Sequence, residues 1–397
     1  QTLAQGDRLK CSMHSGFSRL VGLKWYTKLI SDYGKQYLWQ DAIDTFNRLR
    51  HQRLQPNTIT YSASIDACGK GRQWAQALSL LRELSEQALH PNVIAYNSTI
   101  SACQRGKQWV LALHTLTDMW RKGLQPNVVS YNASITACEK TQQWAHALNL
   151  MVVMRHQSLQ PDVTTYSASI SACEKGHLWE QPLAFLAEMW KHGPRPNVVT
   201  YGALISACEK CEKWAQAIAL LSEMTEHCVK ADVISYNALI SACEKGHQWA
   251  HALHLVADIC QHRLQANIVT YNALISACEK GKQWTQTLTL LAQMRQHRLD
   301  PDVISYNATM SACGKGGQWM QAARLLKEMQ RHALQPNEIT YNTTILSCAD
   351  GQQHDMMFSL LDDMIARGLE PDALTYGRML TECEYGGMPS REAALLT

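Results

Sequence analysis

Two sets of small polar residues recur along this 397-residue sequence, and their side chains have the size and chemistry to read nucleic-acid bases. A tyrosine recurs every 35 residues, from Tyr26 to Tyr376, without an insertion or deletion. The residue after it, here called the post-tyrosine column, is Thr27, Ser62, Asn97, Asn132, Ser167, Gly202, Asn237, Asn272, Asn307 and Asn342. The closing column, always Asn or Asp, is Asn57, Asn92, Asn127, Asp162, Asn197, Asp232, Asn267, Asp302, Asn337 and Asp372. Hydroxyls, amides and carboxylates of this kind can hydrogen-bond to the Watson–Crick edge of a base.

Local structure offers an alternative role for both columns. An Asn after the tyrosine could cap a first helix, and an Asn or Asp after proline could make a turn. Such roles do not explain why the two columns vary as pairs while the residues around them barely change. The paired variation favours base readout.

Two further columns could contact a nucleic-acid strand. Two residues before each tyrosine lies the β-branched column, which is Ile59, Ile94, Val129, Thr164, Val199, Ile234, Val269, Ile304 and Ile339. Ordinary packing at a helix start is the alternative for these residues. Nine residues after each tyrosine lies the cation column, which is Lys35, Lys70, Arg105, Lys140, Lys175, Lys210, Lys245, Lys280 and Lys315. Such cations complement a helix dipole, and an evenly spaced row of them also suits a phosphate backbone.

Each of these two columns has one departure. Lys24 stands where the first repeat would carry its β-branched residue, which puts that repeat's base contact in doubt. Asp350 ends the cation column, so we expect the electrostatic grip to weaken toward the C-terminus.

Composition bounds the fold and the compartment. The formal net charge is only +3, so a polyanionic partner would have to meet a local basic surface. Ten of the fourteen cysteines, from Cys68 to Cys383, follow the same 35-residue period. Equivalent residues of stacked helices lie roughly 8 to 10 Å apart, beyond the roughly 7 Å Cα limit for a disulfide, so these are predicted to be buried thiols in a reducing compartment. No apolar run approaches the roughly 18 residues of a membrane span, so no membrane partner is expected.

The spacing within one repeat predicts two helices. In residues 128–162, Tyr131, Ile135 and Cys138 share one face of a first helix. Trp144 begins the apolar stripe of a second, and core packing is its favoured role. Glycine often lies between the two helices, as expected where a helix must stop, and Pro161 ends the second helix. One hairpin cannot bury enough apolar surface to stand alone, so the repeats must stack into a solenoid with one continuous inner surface.

These units resemble the pentatricopeptide repeat family, P-type, from residue 23 onward. The resemblance rests on 35-residue units that begin near "VVSYNASI" and close with "LQPD"; the protein-binding tetratricopeptide repeat has 34 residues and a different signature. A tryptophan recurs where most members carry leucine, at Trp39, Trp74, Trp109, Trp144, Trp179, Trp214, Trp249, Trp284 and Trp319. The resemblance implies an all-α, right-handed α-solenoid superhelix of tandem helix-turn-helix repeats.

The resemblance also gives the domain boundaries. An N-terminal flank, 1–22, precedes ten repeats, and a partial repeat or C-terminal cap, 373–397, follows them. The ten repeats are 23–57, 58–92, 93–127, 128–162, 163–197, 198–232, 233–267, 268–302, 303–337 and 338–372.

The implied function is sequence-specific binding of single-stranded RNA, one base per repeat. In the family, Thr or Ser paired with Asn favours A, Asn with Asp favours U, Asn with Asn favours a pyrimidine, and Asp with a small residue favours G. Carried over pair by pair, from Thr27 with Asn57 to Asn342 with Asp372, the implied target is 5′-AAYUAGYUYU-3′. The β-branched column would hold successive bases apart, and the cation column would contact phosphates.

We expect no enzyme activity, cofactor, metal or small-molecule substrate. Residues 1–22 and 373–397 are too short for a catalytic domain, and Cys208 and Cys211 have no second half of a zinc site. Single-stranded RNA and other RNA-processing proteins are the expected partners. The resemblance implies organellar RNA processing, stability or translation, in the chloroplast or mitochondrion. The alternative is a helical-repeat scaffold that binds proteins.

Overall fold

The computed structural model describes residues 16–386, with side chains described for 22–384 except His192. The described part of the chain consists of helices joined by short turns, which confirms the all-α prediction. The helices are α1 (Gly16–Lys35), α2 (Trp39–His51), α3 (Thr58–Lys70), α4 (Trp74–Glu86), α5 (Val93–Arg105), α6 (Trp109–Arg121), α7 (Val128–Lys140), α8 (Trp144–His156), α9 (Val163–Lys175), α10 (Glu180–His192), α11 (Val198–Lys210), α12 (Trp214–Glu226), α13 (Val233–Lys245), α14 (Trp249–Gln261), α15 (Ile268–Lys280), α16 (Trp284–Gln296), α17 (Val303–Lys315), α18 (Trp319–Arg331), α19 (Glu338–Asp350), α20 (His354–Ala366) and α21 (Ala373–Gly386).

The chain forms two compact units, one ending at Ala203 and the other starting at Leu204. In the first unit, the first helices α1, α3, α5, α7 and α9 pack in succession, each against the next. The second unit repeats the pattern with α13, α15, α17, α19 and α21. The first helices also pack on the second helices of their own repeats. Each unit is therefore a stack of helix hairpins whose contacts are made between neighbours.

The core of each repeat follows the predicted apolar faces. In the repeat that starts at Val128, Tyr131, Ile135 and Cys138 are fully buried, as are Met151 and Met154 of the second helix. Burying these side chains between hairpins supplies the stability that a single hairpin lacks. The column of cysteines lies in this core and forms no disulfides within the described residues.

The tryptophans pack against the core as predicted, as Trp74 and Trp109 show, and they also lie against the following repeat. Trp144 is 38% exposed. A Cβ placed on Gly176 of the next repeat would lie 2.7 Å from its Cγ. The same tryptophan-to-glycine contact joins Trp39 to Gly71, Trp74 to Gly106, Trp214 to Gly246, Trp249 to Gly281, Trp284 to Gly316 and Trp319 to Gly351. Each indole thus covers the inter-helix turn of the following repeat.

The turn glycines lie at the ends of the first helices, as predicted, and this contact gives a further reason for glycine there. Gly281 caps α15 with φ −78°, a value open to any residue, and the left-handed conformation falls on Lys282 with φ 56°. Glycine is needed because a Cβ at Gly281 would come within 2.4 Å of Cδ1 of Trp249. Thr141 and Cys211 replace this glycine in two other repeats. The tryptophan that precedes Thr141, Trp109, packs beside the ring of His146, with 4.8 Å between ring centroids.

Among residues 16–386, no helix is both long and apolar enough to cross a membrane.

Candidate nucleic-acid interface

Every residue of the closing column caps the first helix of the following repeat. The side-chain oxygen accepts a hydrogen bond from the backbone N–H three residues later, at 2.8 Å for Asp162 and 3.0 Å for Asn267. The same bond is made by Asn57, Asn92, Asn127, Asn197, Asp232, Asp302, Asn337 and Asp372. The closing column therefore has a local structural role, which is a helix cap rather than the turn offered as the alternative. Capping uses one side-chain oxygen of each closing residue, and the second polar atom of that side chain stays available for another hydrogen bond.

The post-tyrosine column lies inside the first helices, so capping is not its role. Asn132, for example, is the fifth residue of α7, whose cap is Asn127. The preceding Tyr131 is fully buried, and its hydroxyl donates to Gln157 Oε1 at 2.9 Å. Because consecutive helical residues point about 100° apart, burial of the tyrosine turns its neighbour away from the core. Asn132 accordingly remains partly exposed.

The buried tyrosines are anchored by polar groups on the second helices. The hydroxyl of Tyr61 donates to Glu83 Oε1 at 3.0 Å, and that of Tyr96 donates to Asp118 Oδ2 at 2.6 Å. Burial, together with the hydrogen bond to Glu83, raises the pKa of Tyr61 to about 12. The phenols therefore stay neutral at physiological pH and hold each first helix in a fixed rotation.

The two polar columns meet directly in four repeats. Asn132 Nδ2 donates to both carboxylate oxygens of Asp162 at 3.1 Å. Asn272 Nδ2 does the same to Asp302 at 3.2 Å. Asn97 donates to Asn127 Oδ1 and Asn307 donates to Asn337 Oδ1, each at 3.2 Å. The pairs inferred from sequence variation are thus pairs in space.

Other pairs meet less directly. Ser62 Oγ lies 3.5 Å from Asn92 Oδ1, while it donates to the Thr58 carbonyl at 2.7 Å. Thr27, Ser167 and Asn237 each contact a buried threonine that also bonds the closing residue. Those threonines are Thr60, Thr200 and Thr270. Gly202 has no side chain to offer, so Asp232 carries the polar chemistry of that pair.

Asn342 is placed least well for readout. It is only 8% exposed, and its Oδ1 is buried without a hydrogen-bond partner. Its partner Asp372 caps α21 through Thr375. The last predicted pair therefore differs from the others in geometry.

The β-branched column is exposed throughout, which removes packing as its explanation. Exposure ranges from 55% at Val129 to 75% at Ile234, although both side chains are apolar. Thr164 is exposed too, and Leu374 extends the column with 70% exposure. A regular row of solvent-facing apolar side chains is typical of a surface that contacts a partner.

One groove shows how these columns share a surface. It has a volume of about 440 Å³ and runs along the first repeat. Its lining includes the readout pair Thr27 and Asn57, the β-branched Ile59, and Lys24 at the equivalent place one repeat earlier. Lys35 of the cation column lines it as well. Four columns that are far apart in sequence therefore border a single groove.

The cation column is tied into ion pairs that the sequence analysis missed. Lys245 Nζ lies 3.0 Å from Glu209 Oε1, although Glu209 belongs to the preceding repeat. Lys280 with Glu244, Lys315 with Glu279, and Lys175 with Glu139 repeat this arrangement. Lys35 and Lys70 pair with acids of their own helices, Asp32 and Asp66. The signal was present in the recurring Cys-Glu-Lys sequence, whose Glu follows the same 35-residue period.

These pairs leave the lysine heads partly exposed. The side chains of Lys245 and Lys280 are 35% and 36% exposed, against 20% and 18% for their glutamates. An ammonium carries three donor hydrogens, so a lysine that bonds one carboxylate can still donate to a phosphate. The glutamates nevertheless reduce the local positive potential.

Stacked helix hairpins of 35 residues with two paired polar columns define the class of this chain as a tandem α-helical repeat protein. A model described as the PPR repeat family matches residues 126–175, 196–245 and 301–350. One described as the pentatricopeptide repeat domain matches 21–71, 79–141 and 254–316, and one described as the PPR repeat matches 59–87, 234–263 and 339–369. Together they cover 21–175 and 196–369. The chain belongs to the pentatricopeptide repeat family.

Individual proteins and solved structures are also similar to this chain. Pentatricopeptide repeat-containing protein At3g20730 of Arabidopsis thaliana is 40% identical over 43 residues, which are 11% of this chain and 8% of that protein. The crystal structure of the pentatricopeptide repeat protein PPR10 in complex with an 18-nt psaJ RNA element is 21% identical, with a TM-score of 0.63. It matches 94% of this chain, which spans 59% of the PPR10 chain. The crystal structure of the pentatricopeptide repeat protein PPR10 from maize is 20% identical, with a TM-score of 0.51, over 94% of this chain and 62% of that chain. These structures share the fold.

Proposed function

We propose that this protein binds single-stranded RNA in a sequence-specific manner, one base per repeat, and acts by occupying its site. The observation that carries the proposal is the direct contact between the post-tyrosine and closing columns, as in Asn132 with Asp162. Exposed β-branched side chains lie beside these pairs, and cations recur at the far ends of the same helices. The complex of PPR10 with an RNA element supports RNA as the partner.

The Asn–Asp pairs present one donor and one acceptor. Oδ1 of Asp162 accepts from the backbone N–H of Thr165, which leaves Oδ2 with free acceptor capacity. Asn132 Nδ2 has a second hydrogen beyond the one directed at Asp162. A donor beside an acceptor complements the carbonyl and N3–H of uracil, so these pairs are assigned to U.

The Asn–Asn pairs present donors. Oδ1 of Asn127 accepts from Ser130 and from Asn97, so its free group is the amide nitrogen. Asn97 likewise has an N–H hydrogen to spare. Donors at this place can bond the O2 carbonyl that cytosine and uracil share, in keeping with a pyrimidine at these positions.

The remaining assignments rest on the family resemblance. Thr or Ser with Asn reads A at the first, second and fifth bases, and Gly202 with Asp232 reads G. The proposed target stays 5′-AAYUAGYUYU-3′, with the chloroplast or mitochondrion as the proposed compartment. Because Asn342 is buried, the tenth base should contribute least to selectivity.

Direct binding tests the proposal. The protein should bind the decamer 5′-AACUAGCUCU-3′ at least about tenfold more tightly than a shuffled decamer of the same composition. Its affinity should fall with salt at a log–log slope of about −4 to −6, for six to nine phosphates on a single strand. Equal affinity for both decamers would contradict sequence-specific binding. A pull-down with and without ribonuclease separates the scaffold alternative, whose partners would survive nuclease treatment.

A further inference from the structure

A third set of residues contacts every exposed asparagine of the post-tyrosine column. It lies just before the tyrosine of the following repeat and consists of Ser130, Thr165, Thr270, Ser305 and Thr340, here called the hydroxyl column. Each side chain is fully buried. Its hydroxyl donates to the Oδ1 of the asparagine one repeat earlier, at 2.6 Å from Ser130 to Asn97 and 2.6 Å from Thr270 to Asn237. Thr165, Ser305 and Thr340 make this bond at 2.5, 2.5 and 2.7 Å.

This bond fixes which side of the asparagine amide faces the groove. With Oδ1 held by a hydroxyl, Nδ2 must point the other way, toward the closing residue and solvent. The reverse orientation would direct Oδ1 at an acceptor oxygen of the closing residue, such as Asp302 beside Asn272. Holding the amide this way means that a base meets an N–H donor.

The bond from the hydroxyl column is made to more asparagines than the contact between the post-tyrosine and closing columns. Asn237 receives it from Thr270, yet no hydrogen bond joins Asn237 to Asn267 among the described contacts. At the last junction both partners are unsatisfied: Asn342 Oδ1 and Thr375 Oγ1 are buried without hydrogen bonds. There the amide also fails to meet Asp372 among the described contacts. Among the described contacts, Asn342 therefore lacks both the bond from a buried hydroxyl and the contact with its closing residue.

From this geometry we infer that the hydroxyl column is a set of positioning residues for base selectivity, which act through the preceding asparagine and do not touch RNA. The inference rests on the proposed RNA binding. A buried hydroxyl that holds Oδ1 lowers the entropy cost of ordering the amide on binding and excludes the flipped amide. Removing it should weaken discrimination more than affinity.

Thr270→Val is the sharpest test, because valine keeps the shape and removes the hydroxyl that holds Asn237. The preference for a pyrimidine over a purine at the seventh base should fall about fivefold, the effect of one hydrogen bond. Thr270→Ser keeps the hydroxyl and should keep the preference. Retained discrimination in Thr270→Val would overturn the inference.

Thr200→Val is the matched control. Thr200 makes the same cap contacts with Asn197, at 3.0 Å from its backbone and 3.1 Å from its hydroxyl. The residue one repeat earlier is Ser167, whose hydroxyl lies 3.4 Å from that of Thr200 and which has no amide to orient. Thr200→Val should therefore leave discrimination at the fifth base within about twofold. Equal losses in the two valine variants would show a general capping effect and contradict the positioning role.

A second measurement does not depend on RNA. In protein labelled with ¹⁵N-asparagine, the two side-chain amide protons of Asn237 should give separate, sharp signals. Thr270→Val should shift and broaden them, while Thr270→Ser should not. Unchanged signals in Thr270→Val would overturn the inference, whereas failure of the wild-type protein to bind the decamer would instead reject the proposed function.

Discussion

An asparagine amide offers two donor hydrogens on one side and an acceptor oxygen on the other, so its orientation decides what a base meets. In this protein the acceptor side of Asn132 is bonded to Thr165 and the donor side is directed at Asp162. The closing residue in turn uses one oxygen to cap a helix and keeps its second polar atom for a ligand. The observed capping and the proposed readout therefore use different atoms of the closing side chains.

Asn132→Thr tests the readout at a single residue. The shorter side chain makes room for a purine, and the carboxylate of Asp162 can accept from the N1–H and N2–H of guanine. Preference at the fourth base should shift from U toward G by about tenfold, measured as the ratio of Kd values for the two decamers. Unchanged preference for U would contradict the assigned pair, and the other nine bases serve as internal controls.

The buried cysteines make stability depend on alkaline pH. Burial raises the pKa of Cys243, Cys278 and Cys313 to about 11, above that of a thiol in the unfolded chain. A raised pKa means that the folded state keeps its protons longer, so this stability is full below pH 9 and is lost as pH rises toward 11. The free energy of unfolding in urea should therefore fall between about pH 9 and pH 11.

The triple variant Cys243→Ala, Cys278→Ala, Cys313→Ala provides the control. Each thiol adds a slope of up to about 1.4 kcal/mol per pH unit in this range, so the variant should show a shallower pH dependence. Its absolute stability will also drop because alanine leaves small cavities. An identical slope in both proteins would show that the thiols are not the cause.

The sequence predicted which residues pair, because the register of the repeat is unbroken. It did not predict that Asn342 is buried, since burial depends on how α19 and α21 pack at the last junction. It also missed the hydroxyl column: a serine or threonine before most of the tyrosines resembles an ordinary capping residue until its distance to the previous repeat is known.

At the scale of the helix, the turn between the two helices of a repeat is shaped by its neighbour. The indole of Trp249 occupies the space where a side chain at Gly281 would begin. The left-handed backbone conformation that follows the end of α15 falls on the next residue, Lys282, which is not a glycine. Tryptophan and glycine therefore form a unit that joins adjacent repeats.

Gly281→Ala should disturb this contact. The new Cβ would lie 2.4 Å from Cδ1 of Trp249, so the indole or the turn must move. We expect a loss of about 2 kcal/mol, typical of overpacking, measured as a lower midpoint of urea unfolding. Adding Trp249→Leu should recover part of the loss. A fully stable Gly281→Ala would contradict the steric role of this glycine.

Lys282→Gly, at the residue next to Gly281, should have the opposite effect on stability. Relieving the left-handed strain of a side-chain-bearing residue should stabilise the fold by up to about 1 kcal/mol. The sequence correctly placed a glycine at the end of the first helix. The pattern does not reveal that the next residue carries the positive φ. The helices themselves were predicted well, since their apolar spacing is regular.

At the scale of the whole molecule, positive and negative charges nearly balance in the candidate nucleic-acid interface, as they do in the composition. The lysines of the second unit pair with glutamates one repeat earlier, as in Glu244 with Lys280. Exposed ion pairs of this kind contribute little to stability, about 0 to 1 kcal/mol each. Their larger effect should be on the phosphate backbone, which must share these lysines with carboxylates.

The triple variant Glu209→Gln, Glu244→Gln, Glu279→Gln should bind RNA more tightly. Each change frees a lysine, so the log–log salt slope should steepen by about 2, and affinity at low salt should rise about tenfold. A charge-matched control changes three exposed acids on second helices, Glu86→Gln, Glu180→Gln and Glu226→Gln. Equal gains in both variants would indicate a net-charge effect, and no gain in the first would show that these lysines do not meet phosphate.

The central claim is that paired polar columns read one base per repeat, and selection from a random RNA pool tests it most directly. The selection measures binding, register and base preference together, with no assumption about the target. The account predicts enrichment of 5′-AAYUAGYUYU-3′, strongest at the fourth and eighth bases, where Asn132 with Asp162 and Asn272 with Asp302 make direct contacts. A pool with no enriched motif, or a motif unrelated to the order of these pairs, would contradict it.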